Sequence, residues 1–192
     1  MRTIEEVKQY ALENRIPIME DEGMEFLCAF ILENGIRDIL EAGSAIGYSA
    51  MKMASVHKDI RIVTLEKDPE KARLAQENIA GCGYSDQVES RLEDARKYNS
   101  ERVFDMVLID AAKTANEAIF RHLSGYVKKG GYLVTDDIKF HGFPDHPEII
   151  RSRHFKELAL KVKRYREARE KDPLYETRYV DAGDGILISK KL

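Results

Sequence analysis

Apolar residues gather into short runs at 36–40, 60–65, 106–109 and 132–135, each followed by a segment of helical periodicity. A weaker run covers 88–92. Strands alternating with helices predict βαβ units and a parallel sheet. The end of the chain departs from that rhythm, because 175–180 and 185–189 flank Ala182-Gly-Asp-Gly185, which reads as a β-hairpin. Two amphipathic helices come first. Thr3-Ile-Glu-Glu6 is a capping box opening a helix to about residue 14. Pro17 breaks the pattern, and a second helix covers about 21–34, closed by Gly35. Further on, Asp68-Pro69 starts a helix that Gly81 stops, and Thr114-Ala-Asn-Glu117 is a second capping box.

The expected fold is α/β: a Rossmann-like, doubly wound, mostly parallel seven-stranded sheet with a C-terminal antiparallel hairpin and extra N-terminal helices. One domain is expected over 1–192, with the N-terminal helices in 1–35 and the core in 36–192. There is no internal repeat, low-complexity segment or linker.

Composition narrows the setting. No run of eighteen apolar residues occurs, so no membrane span is expected, and the N-terminus lacks the features of a secretory signal. Cys28 and Cys82 share no metal-like or redox spacing, which fits a reducing, cytoplasmic location. The net charge of −3 hides an asymmetry: residues 151–171 carry nine Lys or Arg against three Glu, a local +6. Such a stretch is either a solvated helix face or a contact for a polyanion.

Open α/β sheets bind ligands beyond the carboxyl ends of their strands. There the first strand offers Glu41, then Gly43 and Gly47, in a Glu-x-Gly-x-x-x-Gly spacing that disfavours a pyrophosphate cradle. The second strand ends in Glu66, placed to accept from the ribose hydroxyls of an adenosine ligand, and Asp94 follows the third. Asp110 ends the fourth strand and Asp136-Asp137 the fifth. Three carboxylates at adjacent strand tips repel unless a cation lies between them, and their oxygens suit Mg²⁺ or Ca²⁺ better than Zn²⁺.

Several segments together carry a resemblance: Leu40-Glu-Ala-Gly-Ser-Ala-Ile-Gly-Tyr-Ser-Ala50, Leu65-Glu-Lys-Asp68, Phe104-Asp-Met-Val-Leu-Ile-Asp-Ala-Ala-Lys113 and Gly130-Gly-Tyr-Leu-Val-Thr-Asp-Asp137. The chain resembles the metal-dependent O-methyltransferases, which include catechol and caffeoyl-CoA methyltransferases. Ile16-Pro-Ile-Met-Glu20, Phe140-His-Gly142 and the closing Gly183-Asp-Gly-Ile-Leu-Ile-Ser-Lys190 are most similar to a bacterial branch that methylates 5-hydroxyuridine at the tRNA wobble position.

The resemblance implies S-adenosylmethionine as cofactor, surrounded by Met19, Glu41, Gly43, Ser44, Tyr48, Ser49, Glu66, Asp94 and Asp110. It implies Mg²⁺ or another divalent cation on Asp110, Asp136 and Asp137, the last replacing the family's usual Asn. Lys113 takes the place of the general base, acting with Asp110, and His141 would line the substrate mouth. The expected partner is a tRNA anticodon loop held by Arg151, Arg153, Arg164 and Arg166. A small catechol-like acceptor and a non-catalytic RNA-binding scaffold are the alternatives. The apolar faces of the two N-terminal helices also predict a homodimer.

Overall fold

The computed structural model describes residues 2–192, without the side chain of His141. Seven strands form one sheet: β1 (Asp38–Ala42), β2 (Arg61–Glu66), β3 (Val88–Leu92), β4 (Phe104–Ile109), β5 (Val127–Thr135), β6 (Tyr175–Val180) and β7 (Ile186–Lys191), ordered β3-β2-β1-β4-β5-β7-β6. The first five run parallel, and β7 lies antiparallel between β5 and β6. The reversal of strand order between β1 and β4 opens a crevice at their carboxyl ends.

Alternate residues feed two cores, as strand geometry requires. Ile39, Ile62, Met106 and Leu108 pack with α1 (Ile4–Glu13), α2 (Asp21–Glu33), α3 (Tyr48–Ser55) and α4 (Pro69–Gly81). Leu40, Val63, Val107 and Ile109 pack with α5 (Asn116–Leu123) and α6 (Arg153–Glu170). The faces of α1 and α2 expected to support a dimer, Val7, Ala11, Met24, Leu27, Phe30 and Ile31, are buried in the first core. Of the large apolar residues described on these two helices, Leu12 and Leu32 stand exposed.

Three boundaries differ from the sequence pattern. The first strand starts at Asp38, where the Arg37 and Asp38 amides donate to the Asp105 carboxylate, both at 2.9 Å, as pairing with β2 begins. β5 begins at Val127 and passes through Gly130 and Gly131 with a shift of register against β4. Thr114 caps nothing: Lys113–Ala115 form a 3₁₀ turn, and α5 starts behind Ala115 with no side-chain cap.

Behind the carboxyl end of β5, α6 is anchored by buried groups. Tyr165 Oη and Thr135 Oγ1 share a 2.7 Å hydrogen bond, and the Arg169 guanidinium lies 4.1 Å from the Phe120 ring centroid. Arg169 also reaches Glu117 at 3.7 Å and Asp172 at 3.8 Å. Arg169→Ala should therefore cost about 2 kcal/mol, through lost stacking and unpaired acids, read as a lower urea midpoint at unchanged slope.

Candidate active site

The crevice holds a cavity of about 560 Å³ lined by the ends of β1, β2 and β4 and by the turns that follow them. Gly43 makes this arrangement possible. Its φ is +103°, and a Cβ there would sit 1.8 Å from the Asp110 carbonyl oxygen. The close backbone approach that Gly43 permits is to the exit of β4, and Gly43 also lines the cavity. Ala45, Asp137 and Phe140 also have positive φ, so three of the four such non-glycine residues described lie at this end of the sheet. Strain of this kind concentrates where surrounding structure enforces a functional geometry.

Of the expected cofactor residues, Gly43, Glu66, Asp94 and Asp110 line the cavity. Glu66 accepts from the Ala45 amide at 3.1 Å and the Asp68 amide at 2.9 Å, which ties the loop after β1 to the end of β2. Asp94 caps a short 3₁₀ turn and is gripped by Arg96, at 3.0 Å from Nε and 2.5 Å from Nη2, which holds its pKa down at about 2. Glu41 is fully buried and accepts from Ser49 Oγ at 2.5 Å and from Thr64 Oγ1. Burial raises its pKa to about 7, against the pull of those two hydroxyls. Met19 and Tyr48 belong to the first core, not to the cavity wall. Ser44 is buried behind the cavity wall, and its Oγ has no hydrogen-bond partner.

The acids at the ends of β4 and β5 form the second feature. Burial first, then the charges of Glu41 and Asp137, push Asp110 up to about 7. Burial first, then Asp110, pushes Asp136 up to about 8. Two buried carboxylates that repel one another, both hard oxygen donors, have the chemistry of a divalent-cation site. Asp137 is placed differently, since its carboxylate forms an ion pair with Lys113. Among the described residues no group of three or more His, Cys, Asp or Glu side chains is arranged to hold a metal. Asp110 and Asp136 thus have the donor chemistry such an ion needs, while the adjoining Asp137 carboxylate is paired with Lys113.

Lys113 adjoins an aromatic cluster. Its Nζ lies 5.0 Å from the Phe140 ring centroid, and Phe140 meets Phe143 at 5.5 Å and the half-exposed Phe155 of α6 at 6.4 Å. The His141 side chain lies outside the described residues. The basic stretch proves heterogeneous. Arg151 and Arg153 are exposed near Phe155, Arg153 pairing with Glu157 at 3.1 Å. Arg164 is exposed, on the side of α6 opposite the buried Ala159, Val162 and Tyr165. Arg166 is mostly buried, and its guanidinium donates to both oxygens of Asp145, so it braces the loop after β5. Counting charges along the sequence could not separate these roles. It also passed over Ala111, Ala112, Ala115 and Ala118, whose small side chains leave the cavity its room, and Lys67 and Lys71 at its edge.

Comparison with known proteins agrees with this geometry. The O-methyltransferase family model matches residues 1–192. A solved structure from Staphylococcus aureus, provisionally named a caffeoyl-CoA O-methyltransferase, superposes with a TM-score of 0.94 at 32% identity, covering 100% of this chain and 93% of that one. The catechol O-methyltransferase of Niastella koreensis is 35% identical over 109 residues, which are 53% of this chain and 49% of that enzyme, so the match spans about half its length. A Bacillus cereus O-methyltransferase solved with S-adenosylhomocysteine shares the fold, with a TM-score of 0.83 and 24% identity over 98% of this chain and 90% of its own. The chain belongs to the O-methyltransferase family.

Proposed function

We propose that this enzyme methylates the 5-hydroxyl of 5-hydroxyuridine at the tRNA wobble position, giving 5-methoxyuridine. One observation carries the reading. From Lys113 an aromatic step, Phe140 to Phe155, leads out to the exposed cations Arg151, Arg153 and Lys156 at the start of α6. Single-stranded RNA is held in this way, with splayed bases on aromatic rings and phosphates on Lys and Arg. The names of the Staphylococcus and Niastella relatives favour a second reading, a small catechol-like or caffeoyl-CoA-like acceptor.

Glu66 and Asp94 would hold the adenosine part of S-adenosylmethionine, and a cationic end brought near Glu41, which Ser49 and Thr64 brace, would favour the ionised form of that buried acid. The bound cofactor supplies an electrophilic sulfonium methyl. Asp110, Asp136 and Asp137 would hold Mg²⁺ or another divalent cation, which when bound lowers the pKa of the acceptor hydroxyl. Lys113 would take the hydroxyl proton at Nζ as a neutral amine, having first given up its own proton to solvent. The Phe140 and Phe155 rings confine the acceptor plane and exclude water, so that positioning supplies much of the acceleration.

Purified protein and labelled cofactor should transfer methyl groups to tRNA lacking the wobble modification. No transfer to tRNA beside brisk transfer to a catechol would sink the RNA reading. A chain carrying Arg151→Glu, Arg153→Glu and Lys156→Glu together should lose about 30-fold in kcat/KM on tRNA, with a log–log salt slope shallower by about 2. An equal loss on tRNA and on a catechol would remove the basis for assigning these residues to RNA.

A further inference from the structure

Lys113 and Asp137 are 24 positions apart, yet they meet as an ion pair at the mouth of the acidic site. Lys113 is the more enclosed, with 16% of its side chain exposed against 36% for Asp137. Its ammonium faces the Phe140 ring as well as the carboxylate. Asp137 is held with φ at +58°, followed at once by backbone bonds from Ile138 to Gly185 at 2.9 Å and from Lys139 to Asp184 at 2.7 Å. The turn therefore has little freedom to offer the carboxylate elsewhere.

A divalent ion on Asp110 and Asp136 would find that third carboxylate already bound to a cation. Two cations cannot share one carboxylate without mutual repulsion, strongest where water is scarce. An amide at position 137 could not form such a charged pair with lysine. The competition therefore comes from the aspartate this chain carries.

We propose that Lys113 is an internal counter-cation competing with the divalent ion for Asp137, so that ion entry releases Lys113 toward the acceptor. This rests on the metal reading under Proposed function. It makes Lys113 report on the state of the site: paired when the ion is absent, turned to the acceptor when the ion is present.

The test compares Mn²⁺ binding, by the loss of the free-ion electron paramagnetic resonance signal, in the full chain and in Lys113→Met, Asp137→Asn and the double variant. Circular dichroism establishes that each is folded. Lys113→Met should tighten Mn²⁺ binding about tenfold when Asp137 is present and less than about threefold when it is made together with Asp137→Asn, since only the first background contains the ion pair. An equal gain in both backgrounds, or none in the first, overturns the competition. If none of the four proteins binds Mn²⁺, the metal reading itself falls, a separate outcome. The unsubstituted protein supplies a second readout. Reductive methylation followed by mass spectrometry should label Lys113 several-fold faster with Mn²⁺ than without, and an unchanged or slower rate would refute the release.

Discussion

Asp110→Asn is expected to lower kcat/KM by about 1,000-fold or more while making the cation-free protein more stable at neutral pH. Both effects have one origin. Asp110 and Asp136 are buried close enough to raise one another, to about 7 and about 8, after burial itself has raised both. The ordinary value for either is 3.8, so between pH 4 and 8 the folded chain holds protons that the unfolded chain has released. Stability of the cation-free protein therefore falls as pH rises through that window and levels off above about 8. Replacing one carboxylate with an amide of the same shape removes its own cost and relieves its neighbour. Melting curves at pH 5 and pH 8 should show a smaller drop for Asp110→Asn than for the unsubstituted chain. Mg²⁺ should offset the drop in the unsubstituted chain and do little in the variant. Full methyl transfer by Asp110→Asn, or by the unsubstituted enzyme in EDTA, would defeat the metal-assisted reading.

The same acids show what a sequence can carry. Strand ends are legible because the pattern of apolar residues stops there, and an open parallel sheet places ligands beyond them; position alone picks out Glu66, Asp94 and Asp110, which line the cavity. Partners are not legible in the same way. Nothing local to Asp94 foretells that Arg96 will hold both its oxygens, and nothing near Asp137 points to Lys113. Arg151 and Arg169 count equally toward a basic stretch, yet one is exposed and the other is stacked on Phe120 inside the second core. Element boundaries failed for related reasons. Asp105, far along the chain, accepts from the amides where β1 begins, and Gly130-Gly131 interrupts the apolar pattern that would otherwise have marked the full length of β5.

Gly43→Ala should be the most damaging single substitution for the fold, costing about 4 kcal/mol or more and lowering Tm by about 10 °C. A flexible side chain in the way could swing aside. The obstacle here is backbone: the added Cβ would lie 1.8 Å from the Asp110 carbonyl oxygen and 2.8 Å from its carbon. Moving the carbonyl means moving the exit of β4, which is pinned by the Asp110 amide bonding Ala42 at 3.0 Å and the Gly43 amide bonding Leu65 at 2.8 Å. The φ of +103° adds a conformation that any L-residue with a side chain resists. Gly47→Ala is the natural comparison. It too has positive φ, at +85°, but its Cβ would meet Ala75 and Ile79 at 3.4 Å, a contact that small shifts can relieve. Its cost should be about 1–2 kcal/mol. A Gly43→Ala chain melting within about 3 °C of the unsubstituted protein would show that the strand exits can separate. The junction that aligns Glu41 with Asp110 would then be looser than the packing implies.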